Sequence, residues 1–121
     1  EIESAVLECE GVAEAAVIGV PDEIKGEVPL VFARVNDTSL GTEQLKEKIN
    51  ERIIQLIGKI ALPKTIIFTE TLPKTVSGKI MRRLLKEIFM SGHVSGDITG
   101  LEDPATVAQI QTIINERYTV K

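Results

Sequence analysis

The sequence predicts a small single domain of the α+β class, with a short, mainly antiparallel sheet packed with helices. Three observations carry that prediction. Residues 15–20 (AAVIGV) and 28–35 (VPLVFARV) are apolar runs of strand length separated by one polar loop. Four other segments repeat their apolar residues at three- and four-residue spacing, the mark of helices with one buried face. The chain has 121 residues and no internal repeats, so it suits one core, and a helix-and-sheet sandwich is the simplest topology.

In the first segment, Ile2, Ala5, Val6 and Cys9 alternate with Glu1, Glu3, Glu8 and Glu10, which predicts a short amphipathic helix stopped by Gly11. The two apolar runs follow as strands flanking the loop DEIKGE, with Pro29 near a strand start. Thr42 is placed to cap a second helix whose inward stripe is Leu45, Ile49, Ile53, Leu56 and Ile57, and Gly58 ends it. Residues 64–70 (KTIIFTE) are rich in β-branched side chains and read as a third strand. Residues 72–78 (LPKTVSG) read as a loop. A helix over 79–89 then puts Ile80, Met81, Leu84, Leu85, Ile88 and Phe89 on one face. After an irregular, Gly-rich stretch over 92–100, Asp103 and Pro104 start a last helix with Val107, Ile110 and Ile114 inward, a tail expected to pack weakly. This divides the chain into residues 1–90 and a C-terminal extension over 91–121.

Composition excludes several classes of function. With 43% apolar and 26% charged residues the chain is not a disordered tail, and no apolar run approaches the roughly 18 residues of a membrane span. Fourteen basic against 18 acidic residues give a net charge of −4, which speaks against general binding to nucleic acid or to an anionic membrane. Cys9 is the one cysteine, so no internal disulfide forms and a cytoplasmic location is the default expectation. The opening residues EIES carry no leader and no initiating Met, so the numbering is expected to start inside a longer protein.

Charge is nonetheless segregated. Between Leu72 and Lys86 stand Lys74, Lys79, Arg82, Arg83 and Lys86, with no acidic residue. The plain explanation is a solvated helix face beside a basic loop. Lys79 points further, because a first-turn position faces the positive end of the helix dipole and disfavours a cation unless an anion joins it. Ser77 and Gly78 just before it permit close backbone approach, so phosphate or carboxylate oxygens could meet amide donors and the ammonium together. The nucleotide-hydrolase loop G-x-x-x-x-G-K-[ST] is absent. His93 has no ligand-spaced partner, Cys9 reads as a buried inert thiol, and no two carboxylates are singled out as an acid and base pair; no metal site is predicted.

The residues LPKTVSGKIMRRLLKEI, 72–88, resemble the C-terminal signature of the AMP-forming acyl-CoA synthetases, adenylate-forming enzymes, and within them the acetyl-CoA synthetases (acetate-CoA ligases). The likeness extends to residues 1–27 as opening helix and first strand, and to GDITGLEDP, 96–104, as the tail of the short-chain branch. The resemblance implies a mobile C-terminal lid working on a large N-terminal domain. ATP and a small carboxylate, acetate or propionate, give acyl-adenylate and pyrophosphate; CoA then displaces AMP. Lys79 of the PKTxSGK motif is implied as the lysine for adenylation, with Pro73, Lys74, Thr75, Ser77 and Gly78 as the supporting motif. ATP, CoA and Mg²⁺ belong to the full-length enzyme; the chain alone is expected to bind none of them and to be inactive.

The same resemblance marks two departures. The position that carries a CoA-phosphate arginine in acetyl-CoA synthetases is Ile54 here, which leaves Arg52 or Lys59 as substitutes. Where some relatives hold a metal near the opening helix this chain has Cys9, and no magnesium is expected there. Lysines of this motif are acetylation targets in the family, so a lysine acetyltransferase and deacetylase acting on Lys79 are implied partners. Two other classes compete: a non-catalytic regulatory or interaction module that retains the fold, and basic-loop nucleic-acid binding, which the 3% aromatic content disfavours.

Overall fold

The computed structural model describes residues 1–36, 43–92, 94, 98 and 100–117. The positions of Thr42 and His93 lie outside these. The chain divides into two compact units, residues 1–70 and 71–121.

In the first unit, α1 (Ile2–Leu7) precedes β1 (Val12–Asp22) and β2 (Gly26–Val35), followed by α2 (Glu43–Leu56), a 3₁₀ turn (Lys59–Ala61) and β3 (Ile66–Thr69). The sheet order is β1-β2-β3. β1 and β2 form a long antiparallel hairpin, with Ala16 opposite Phe32 and Gly19 opposite Pro29, and β3 joins β2 in parallel over Val31–Arg34. The sheet is therefore mixed, with the antiparallel ladder the longer one. A parallel neighbour requires a crossover, and α2 lies in it.

One face of the sheet, carrying Ala15, Val31, Ala33, Val35, Ile66 and Phe68, packs with Ala5 and Val6 of α1 and with Leu45, Ile49 and Ile53 of α2 in a continuous core. On the other face Ala16, Ile18, Leu30, Phe32 and Ile67 are also buried. Burial on both faces explains why VPLVFARV runs apolar without alternating. Pro29 sits upstream of the stretch that pairs with β3, where its missing N–H costs no parallel ladder bond.

The differences from the sequence-based elements are local. The strands reach Asp22 and start again at Gly26, so only residues 23–25 of DEIKGE turn. The Asp22 carboxylate accepts the N–H groups of Lys25 and Ile24 at 2.9 and 3.1 Å, and the Lys25 bond foremost holds its pKa below the usual value. α1 ends at Leu7, leaving Cys9 beyond it. Leu56 is 49% exposed, because the buried stripe of α2 advances by fours from Leu45 through Ile49 to Ile53, on toward the partly buried Ile57 just past the helix, and leaves Leu56 beside it.

The second unit holds α3 (Arg82–Ser91) and α4 (Ala105–Arg117). α3 buries Leu84, Leu85 and Ile88 and ends at Gly92, whose φ of 81° supplies a left-handed C-cap. Two expectations are corrected here. Lys79, Ile80 and Met81 precede the helix. The tail does not pack weakly: Leu101, Val107, Ile110 and Ile114 are all buried, and α4 packs with α3.

Candidate active site

Residues 73–81 form a tight hairpin built from backbone bonds. Lys74 and Ile80 face each other in an antiparallel bridge. The Met81 N–H donates to the Pro73 carbonyl, the Thr75 N–H to the Lys79 carbonyl and the Gly78 N–H to the Thr75 carbonyl, each at 2.8 Å. This is a three-residue loop, Val76-Ser77-Gly78, whose last residue takes the left-handed conformation that lets the strands close. Gly78 does so with φ of 92°. The Thr75 hydroxyl accepts the Lys79 N–H at 3.1 Å and meets the Ser77 hydroxyl at 2.9 Å, so a side chain satisfies the Lys79 backbone donor. Thr75, Ser77 and Gly78 thus have mechanical reasons to stand in the motif.

Lys79 emerges from this hairpin exposed to solvent. Among the described residues its ammonium has no hydrogen-bond or ion-pair partner. The helix-dipole reason for assigning it an anion falls away, since α3 begins at Arg82; what remains is a bare cation on a closed, glycine-hinged hairpin. The backbone explains the shift: Ile80 and Met81 fit the helical face by periodicity, but their pairing with Lys74 and Pro73 holds them extended. Of the other cations of the basic stretch, Arg83 stands differently and Lys86 shares the exposure of Lys79. Arg83 pairs with Glu87 one helical turn on, at 3.3 Å, while Lys86 is exposed on α3.

Gly78 has open space where a Cβ would stand, so a substitution there acts through backbone conformation alone. Gly78→Val should strain the turn by about 1–3 kcal/mol, whereas Gly78→Asn, with a side chain that tolerates left-handed backbone, should lose much less. Amide exchange at Met81 and Thr75 reads the hairpin directly; equal protection in the two variants would refute this account of the glycine.

Away from the hairpin, Ile54 is 37% exposed on α2. Of its two possible substitutes, Arg52 is bound to Glu8, with Nε donating at 2.9 Å and a second guanidinium nitrogen on the same carboxylate oxygen, and also reaches Gln55 at 3.1 Å. Lys59 is exposed after Gly58, with no ion pair among the described residues. The Glu8 contact, from 44 residues away, carries no local sequence signal. The Cys9 thiol is only partly buried, and that burial still raises its pKa, with Arg52 the leading opposing charge. A thiol held protonated in this way is a poor nucleophile. No group of three or more His, Cys, Asp or Glu side chains placed to hold a metal ion occurs among the described residues.

The AMP-binding enzyme C-terminal domain family matches residues 1–79, ending on Lys79 itself. The chain belongs to this family. As a member of the AMP-binding C-terminal domains, it is 48% identical over 116 residues to acetyl-coenzyme A synthetase of Pyrobaculum arsenaticum, a match covering 96% of this chain and 17% of that protein. Among solved structures, Brucella canis acyl-CoA synthetase is similar with a TM-score of 0.65 and 40% identity over 71% of this chain and 16% of that one. Acetoacetyl-CoA synthetase from Streptomyces lividans shares the fold over 96% of this chain and 18% of that one, with a TM-score of 0.77 at 17% identity. The chain thus spans about a sixth of the length of these proteins.

Proposed function

We propose that this domain is the mobile lid of an ATP-dependent short-chain acyl-CoA ligase, which turns acetate or propionate, ATP and CoA into acyl-CoA, AMP and pyrophosphate. Residues 1–90 form the lid proper and residues 91–121 its C-terminal extension. Lys79 supplies the cation for the adenylation half-reaction. The observation that carries this reading is the Lys79 ammonium, exposed and without a partner among the described residues, held out by a hairpin in a chain that belongs to the C-terminal domains of AMP-binding enzymes.

As a substrate carboxylate attacks the α-phosphorus of ATP, negative charge grows on the α-phosphate and on departing pyrophosphate. A cation delivered there when the lid closes stabilises that charge more than it stabilises bound ATP, so it lowers the barrier. Mg²⁺ comes with ATP in the large N-terminal domain, the lid's partner; no step here runs through a metal. Acetylation of Lys79 by an acetyltransferase removes the charge, and a deacetylase restores it. No helix among the described residues is long and apolar enough to cross a membrane. The net charge of −4 and the single cysteine support a reading of the enzyme as cytoplasmic, without a nucleic-acid or membrane partner.

The test is to assay the two half-reactions separately in the full-length synthetase with Lys79 replaced: pyrophosphate exchange for adenylation, and thioester formation from preformed adenylate. Ile54 favours the second reading, a non-catalytic module that keeps the fold. A full-length protein that makes no adenylate with wild-type Lys79 would establish it.

For CoA, Lys59 is assigned the phosphate contact, since the Arg52 charge is already matched by Glu8. Lys59→Ala should raise KM for CoA about tenfold, the worth of one charge-assisted bond, with adenylation unchanged. Arg52→Ala should leave that KM within about twofold, as expected for an arginine already engaged by a surface carboxylate. The opposite order would return the role to Arg52.

A further inference from the structure

The hairpin that carries Lys79 is not two-stranded. Thr75 bridges Ile80's strand on one side and, on the other, lies opposite Leu101 in a second antiparallel bridge. Two backbone bonds bracket that bridge: the Glu102 N–H donates to the Lys74 carbonyl at 2.8 Å, and the Val76 N–H to the Gly100 carbonyl at 3.3 Å. Residues 100–102 are themselves held, because Leu101 is buried and α4 starts directly behind them, with the Asp103 carboxylate accepting the Ala105 N–H at 3.0 Å.

We propose that residues 100–102 of the C-terminal extension are a positioning strand for Lys79, setting the Thr75 backbone from which the lysine is hung. This rests on the adenylation role assigned to Lys79 and adds to it a function for the extension. A lone two-stranded hairpin is marginal in water, whereas a third strand anchored by a buried leucine and a helix makes it a small sheet. Thr75 is the shared element. Its N–H, carbonyl and hydroxyl all bond within the 75–79 loop, while the residues on either side of it bond the tail. Any displacement of the 74–76 strand therefore moves the Lys79 backbone with it. A cation must meet the developing phosphate charge closely, and misplacement by about 1 Å can cost 100-fold in rate.

The strand acts through main-chain groups, so the test sets loss of an N–H together with a side chain against loss of that side chain alone. In the full-length synthetase, Glu102→Pro deletes the donor to Lys74, and the residue before it is already extended, as proline requires. Glu102→Ala keeps the donor. The expected result is a fall of about 10- to 100-fold in the kcat of pyrophosphate exchange for Glu102→Pro alone. KM for ATP and acetate and the rate of thioester formation from preformed adenylate should match Glu102→Ala. Val76→Pro is the second variant, for the case in which Glu102→Pro does not fold. It deletes the donor to Gly100 at the first central position of the turn, where proline fits, and should be slower than Val76→Ala in the same half-reaction only. Added to Lys79→Ala, neither proline should slow adenylation further, since the group being positioned is gone. Unchanged exchange in a folded proline variant, or equal losses in both half-reactions, would overturn the positioning role. If Lys79→Ala itself leaves exchange unchanged, the adenylation reading fails instead, whatever the proline variants do.

Discussion

Replacing Lys79 by alanine in the full-length synthetase should slow acyl-adenylate formation by roughly 100- to 1,000-fold, about 3–4 kcal/mol, while thioester formation from preformed adenylate stays near its original rate. The size follows from where the charge acts. In the free domain the ammonium is exposed and solvated, so it contributes nothing measurable to folding, and its loss should leave the denaturation midpoint unchanged. Under the adenylation role proposed for it, its value is expected only once a closed site excludes water and the α-phosphate gains charge. KM for ATP should change less than kcat, because a group engaged mainly in the transition state leaves ground-state binding largely intact. Enzymatic acetylation of Lys79 should reproduce the alanine result, with activity returning on deacetylation. Equal losses in both half-reactions would reject the assignment, since a lysine serving only adenylation has no reason to slow attack by CoA.

Segregated charge and the glycine before it mark Lys79 in the sequence, but the hairpin geometry that presents it has no local signal. The helix starts later than its periodicity suggests, because Ile80 and Met81 have the right period for α3, while the bonds that hold them extended run to Pro73 and Lys74 and leave no trace in hydrophobic pattern. The Leu101 strand escaped for the same reason: one bridge and two backbone bonds, at the edge of a Gly-rich stretch, show no periodicity at all. The strands and α2, by contrast, were readable from side chains, because an apolar run buried on two faces and a stripe repeating by fours are statements about side chains. Their limits shifted where backbone chemistry decided, as at the Asp22 turn. The hidden partner of Arg52 shows the same limit for charges, since only the folded chain brings Glu8 to it.

Two neighbours on α2 separate what holds the domain from what it presents. Ile53 is 0% exposed and packs in the core among Ile49, Ala5 and the sheet, whereas Ile54 is 37% exposed. Ile53→Ala should cost about 2–5 kcal/mol, the transfer of the lost methyl groups plus the cavity left in a packed interior. Against a total stability of about 5–15 kcal/mol for a domain, that is a large share. Ile54→Ala should stay within about 0.5 kcal/mol, as for a surface change. Urea unfolding of this chain measures both, with the midpoint falling sharply for the first variant and the slope unchanged. Ile54→Arg then carries the functional half of the contrast. It places a cation at the position for which the resemblance to the acetyl-CoA synthetases implies a CoA-phosphate arginine, and it should be as stable as the parent. KM for CoA should fall by about tenfold if an arginine there reaches that phosphate. A stable Ile54→Arg enzyme with unchanged KM for CoA would mean that CoA is held elsewhere on this lid, and would leave Lys59 to carry the contact alone.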